Sequence, residues 1–215
     1  MEPEKIVEDM LTDVISRSEC FDVAIDRGLG QRQHIEKWIL VEMLVRLMKL
    51  KDDGKVDDAQ GEHKYGYPKS SKSKRKERAD FWWIADGNEH FLEVKTIMMP
   101  DNPRKILSND RWSPLKKDLE KIGRLPDDAI FHHLVMFFPL EEKKFGDLEK
   151  EVKNHYDIKS NELEKRLERK GYWKKIEFSY KRLYNISLKG DAKLYIALST
   201  MIKNKNDSDI KFMRK

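Results

Sequence analysis

The chain reads as a mixed α/β protein, with helices packed on a mixed central sheet. Three features of the sequence predict this. The run Gln31 to Leu50 (QRQHIEKWILVEMLVRLMKL) is apolar at spacings of three and four, as a packed helix requires. Two β-favouring runs, Ala79–Ile84 and His90–Ile97, flank Asp86-Gly87-Asn88 and predict a hairpin. Ala129–Pro139 (AIFHHLVMFFP) is a continuous apolar run and predicts a strand buried on both faces. At 215 residues the chain allows one elaborated domain or two small ones.

Taken in order, residues 1–27 predict one or two short helices, with Ile6, Met10, Leu11, Val14 and Ile15 on the apolar side. Gly28 and Gly30 punctuate the chain before the long helix. That helix carries Ile35, Trp38, Ile39, Glu42, Met43, Arg46 and Leu47 on its main stripe. Leu40, Leu44 and Val45 widen the stripe and predict burial over much of the circumference. Residues 51–78 are polar and predict a long loop with at most a short strand near Tyr65–Tyr67. After the hairpin, residues 98–112 read as an irregular connection. Ser113-Pro114 then supplies an N-cap and a first-turn proline for a helix that ends before Pro126 and Asp127-Asp128. Glu141–Lys170 is charged and helical. Trp173–Leu188, broken internally, and Lys193–Met201 read as strands, and the tail from Lys203 as frayed.

Composition narrows the class. Apolar and charged residues are each 39% of the chain, and mean hydropathy is −0.79. No apolar stretch approaches the ~20 residues of a membrane-spanning helix, and the acidic N-terminus does not resemble a signal peptide, so no membrane partner is expected. The single cysteine, Cys20, excludes an intramolecular disulfide and a cysteine-rich zinc site. A reducing, cytoplasmic location is the expectation. The chain has no GxxxxGK[ST] phosphate loop and no GxGxxG fingerprint. Net charge is +5, a small surplus concentrated in Lys69–Arg78 (KSSKSKRKER) and in the C-terminal third.

The hairpin holds the chemistry. Glu93 and Lys95 lie two apart on its second strand and share a face, while Val94 points to the other. Ionic groups inside an apolar strand are costly unless they are paired or bind something. A turn centred on Gly87 and Asn88 would pair residues whose numbers sum to about 175, which sets Asp80 near Lys95, with Glu93 one step closer to the turn. Two carboxylates at one spot can hold a hard divalent cation such as Mg²⁺, with Mn²⁺ as a substitute. An adjacent lysine can orient an attacking water and offset developing charge. Hydrolysis of a phosphodiester needs all three.

Asp80 followed by Glu93-Val94-Lys95, downstream of a helix with an early glutamate, resembles the PD-(D/E)xK nuclease superfamily. Ala79 stands where many members have proline. Asp118–Ile122 (DLEKI) followed by Ala129–Phe138 is similar to the helix and strand that follow the E-x-K strand in that family. The resemblance covers Gly28 to Pro139. It implies a restriction-endonuclease-like mixed sheet flanked by helices. Residues 1–140 would form a nuclease core with its N-terminal helices, and 141–215 an α+β extension packed on it in one unit. It further implies Mg²⁺ held by Asp80, Glu93 and the Val94 carbonyl, with Lys95 positioning water. The helix carboxylate would be Glu36, or alternatively Glu42 on the main stripe. The implied partner is DNA, double-stranded or branched, cut as a restriction, resolvase or repair enzyme cuts it, with the protein acting as a homodimer. Lys74, Arg75, Lys76 and Arg78, just ahead of the site strand, would neutralise the DNA backbone. The alternative is a nuclease fold without catalysis that binds nucleic acid or a protein partner.

Trp82 and Trp83 must face opposite sides of their strand, as must His132 and His133, so the two histidines cannot easily share one metal. Asp118 and Lys121 read as a helix ion pair.

Overall fold

In a computed structural model the described residues are 3–17, 19–21, 32–65, 77–98, 117–126, 128–140, 145–169, 173–187 and 193–205. Among them, helix α1 (Pro3–Ser16) and helix α2 (Arg32–Asp52) precede strands β1 (Asp58–Tyr65), β2 (Glu77–Ala85) and β3 (Asn88–Met98). A helical turn over residues 117–124, of which Glu120–Arg124 is 3₁₀, leads to β4 (Ile130–Leu140). Helix α3 (Phe145–Glu168) and strands β5 (Trp173–Ser187) and β6 (Lys193–Lys205) follow. The six strands form one sheet in the order β1-β2-β3-β4-β6-β5. Only β3 and β4 run parallel; the other neighbouring pairs are antiparallel.

Strand alternation divides the core into two layers. Phe81, Trp83, Leu92, Val94, Leu134, Met136, Ile196 and Leu198 face α1 and α2. Trp82, Phe91, Phe131, Val135, Phe137, Tyr195 and Ala197 face the helical turn and α3. Strand β4 is buried from Ile130 to Phe137, as its unbroken apolar run requires.

Several expectations change. The hairpin turn is Asp86-Gly87, both at positive φ (51° and 76°), which is the two-residue geometry whose twist matches the strands. Paired numbers therefore sum to 173, as in Phe81↔Leu92 and Ala85↔Asn88, which sets Glu93 rather than Lys95 across from Asp80. The segment read as loop holds the whole of β1. Its sequence, DAQGEHKY, is polar because it is an edge strand with one inner neighbour and alternating burial. Gly61 lets α2 come close: a Cβ there would lie 3.3 Å from Leu44 Cδ1. Helix α2 is less enclosed than its apolar content suggests, since Val41, Val45 and Met48 are exposed. The tail expected to fray continues β6 to Lys205, where Lys203 and Lys205 pair with Ile176 and Trp173. Strands β5 and β6 extend the main sheet, so the C-terminal third completes the layer that carries β3 and β4. No described helix is long and apolar enough to cross a membrane.

Candidate functional site

The site forms where β2 and β3 part. Their ladder ends at Phe81↔Leu92, while β3 goes on pairing with β4 as far as Met98. Beyond Leu92 the backbone N–H groups of β3 on the β2 side have no strand partner and need other acceptors. Two carboxylates supply them. The Val94 N–H donates to Asp80 Oδ2 at 2.8 Å. The Thr96 N–H donates to Glu36 Oε2 at 3.1 Å. Asp80 sits at an irregularity of its own strand: Gly61↔Phe81 and His63↔Ala79 pair, but Glu62, at φ 49°, and Asp80 do not.

Lys95 projects between these two anchors and Glu93 just before the first, both on the face of the helical turn. Glu93 Oε1 lies 2.7 Å from Lys121 Nζ, and that ammonium also lies 3.1 Å from Asp118 Oδ1. Lys95 Nζ is 3.8 Å from Asp118 Oδ2. Behind Asp118, His133 Nε2 approaches Oδ2 at 3.9 Å, and His133 Nδ1 shares a 2.9 Å hydrogen bond with the Tyr156 hydroxyl. If Tyr156 donates to Nδ1, the neutral ring carries its proton on Nε2, toward Asp118.

The electrostatics follow from crowding acids in a buried place. Burial, and then the charge of Asp80, push the Glu93 carboxyl up to about 8 against the pull of Lys121. Burial also raises Asp80, offset by the Val94 N–H and by Lys121 and Lys95. Burial opposes the charge on Lys121, but Glu93 and Asp118 overcome it and hold the ammonium above its usual value. Burial lowers His133 to about 4, so its ring is neutral at physiological pH. Burial first, then Glu93 and Asp118, raise the Tyr65 hydroxyl, which is buried without a hydrogen-bond partner near this cluster.

The structure thus brings Glu36, Asp80, Glu93, Val94 and Lys95 to one fork in the sheet. Glu42 is elsewhere, held by Arg17 at 2.7 Å and by the Trp38 indole N–H at 3.1 Å. Arg78 is exposed beside Glu62 at 3.4 Å. Lys74, Arg75 and Lys76 lie outside the described residues. Sequence reasoning missed Tyr65, His133 and Tyr156 as neighbours of this site, and read Asp118 and Lys121 only as a pair with each other. The available signal was their place after the E-x-K strand: Asp118 and Lys121 are one helical turn apart, so both can face the strand they pack on.

A cation can be weighed against this geometry. Among the described residues no three His, Cys, Asp or Glu side chains form a ready cage. Asp118 Oδ2, however, is a buried carboxylate oxygen without a hydrogen bond among these residues, Lys95 Nζ being no nearer than 3.8 Å, while Glu93 Oε1 is occupied by the Lys121 ammonium. Buried polar atoms left in this way are uncommon and call for a partner. An all-oxygen set of few carboxylates suits Mg²⁺, which keeps several waters. The residues fit such an ion. No protein-family model, curated protein or solved structure matches this chain.

Proposed function

We propose that the protein is a metal-dependent endonuclease that hydrolyses DNA phosphodiester bonds, built on a restriction-endonuclease-like core. The observation that carries this is the fork: Asp80 and Glu36 take the N–H groups of Val94 and Thr96, on either side of Lys95 and next to Glu93. A helix, three antiparallel strands, a helical turn and a strand parallel to the third form the frame around it. This order supports the resemblance read from Asp80, Glu93 and Lys95.

In this reading Asp80, Glu93 and the Val94 carbonyl would hold Mg²⁺ or Mn²⁺, which would supply a more acidic water and a counter-charge for the phosphate. Glu36 fixes the end of the fork by holding Thr96. Lys95, steadied by Asp118, orients the attacking water and offsets charge as the P–O bond breaks. Arg78 and the basic run before it meet the DNA backbone, and a homodimer would present two sites to two strands.

Cleavage of supercoiled plasmid with Mg²⁺, Mn²⁺ or EDTA tests the proposal. Wild type should cut only with metal, and Asp80→Ala or Lys95→Ala should each lose at least ~10²-fold. Equal cutting by all three proteins, or none by folded wild type, would overturn it. The competing reading, a binding module without catalysis, draws on the Lys121 ammonium already seated on Glu93. It predicts DNA or protein binding that is indifferent to metal.

A further inference from the structure

We infer that Lys121 is the built-in counter-cation of the site: it stands between Glu93 and Asp118 in the place of a divalent ion and must yield Glu93 for that ion to bind. The inference rests on the metal-dependent reading above and adds to it a residue outside the D…E-x-K set. Glu93 Oε1 is buried and its close cation is Lys121, whose Nζ lies 2.7 Å away. An ammonium at that distance and a hard cation compete for one position, because metal–oxygen bonds are only about 2.0–2.6 Å long.

The chain also provides somewhere for Lys121 to go. Asp118 Oδ1 already accepts it at 3.1 Å, from within the same helical turn. Asp118 is backed by Lys95 at 3.8 Å and His133 at 3.9 Å, so it stays in place when Lys121 turns. The Lys121 side chain is one-fifth exposed, which leaves its ammonium a path toward solvent and an incoming phosphate. The four carboxylates around the fork, Glu36, Asp80, Glu93 and Asp118, face two lysines, Lys95 and Lys121. The acids outnumber these fixed cations, which favours a further positive ion there.

The test is Mn²⁺ binding to the full chain without nucleic acid, followed calorimetrically or by the spin signal of free Mn²⁺. Wild type should bind in an Asp80-dependent way. Lys121→Met should bind at least ~10-fold tighter, because a competing charge a few ångströms away is gone. Lys121→Arg, which keeps the charge, should stay near wild type. Equal or weaker binding by Lys121→Met, with wild-type binding intact, overturns this inference and leaves the nuclease reading standing. No Asp80-dependent binding by either protein overturns both. Amine-labelling of wild type checks the same point without a substitution: saturating Mg²⁺ should speed modification of Lys121, and an unchanged rate would count against its displacement.

Discussion

On the face of the sheet covered by α1 and α2, two buried histidines and a threonine close on one another, while the Trp83 indole N–H beside them has no partner among the described residues. His90 Nδ1 and His132 Nε2 share a 3.0 Å hydrogen bond, and His132 Nδ1 meets the Thr200 hydroxyl at 3.0 Å. Trp83 stacks on both imidazoles, with ring centroids 5.1 and 5.3 Å away. On the opposite face Glu93, Asp118, Lys121 and Lys95 crowd together, with Asp118 Oδ2 left without a donor closer than 3.8 Å among the described residues. The two sets share strand β3, where His90 and Glu93 point to opposite faces; β4 and β6 complete the first set and the helical turn the second. The histidine chain spends its polar groups on the fold. The acidic cluster puts its polar groups into ion pairs with Lys121 and Lys95, which can exchange for another cation as the histidine hydrogen bonds cannot.

The sharpest way to break this contrast is on the histidine face. Trp83→Ala should cost about 3–5 kcal/mol. His132→Leu strands the polar atoms of His90 and Thr200 and should cost about 1–3 kcal/mol for each. Denaturant unfolding measures both, and cleavage per folded molecule should not change. A cleavage defect in a His132→Leu protein that is still folded would show that the two faces are coupled.

On the other face Glu93→Gln should do the reverse. It abolishes cleavage and leaves unfolding stability equal or higher, because a buried carboxylate is replaced by a neutral amide of the same shape while Lys121 keeps Asp118. A clear loss of stability would mean that the acids serve the fold first.

The last contrast is in pH. Burial lowers His90 to about 4 from an ordinary 6.5. The unfolded chain therefore binds the proton more readily, so this contribution is complete above pH 6.5 and is lost as pH falls toward 4. Glu93, raised to about 8 from 4.5, acts in the opposite sense in the metal-free protein, favouring the fold at low pH and losing that contribution as pH rises through 8. His90→Phe should flatten the acid limb of stability against pH, and Glu93→Gln the neutral limb. If either variant flattens the other's limb, the assignment of limbs to faces is wrong.

Much of the frame was legible because it rests on local chemistry. The Asp86-Gly87 turn, the spacing of three and four in α2 and the apolar run of β4 each mark their element directly. Strand β1 was not legible, since an edge strand with a solvent side has no need of apolar residues. The exposed Val41, Val45 and Met48 on α2 likewise show that an apolar residue is compatible with burial without requiring it.

Sequence alone determined that Glu93 and Lys95 share a face, because alternation along a strand admits no other arrangement. It left Glu36 and Glu42 as alternatives, and it set the hairpin pairing two residues off, because a turn is fixed by backbone dihedrals that residue types only suggest. Which helix carboxylate reaches Thr96, whether Asp118 and Lys121 lean toward Glu93, and which histidine lies on which side were decided only by the packing of α2 and the helical turn on opposite faces of the sheet. Such contacts join residues 60 apart in the chain, as Glu36 and Thr96 are, and no local pattern encodes them.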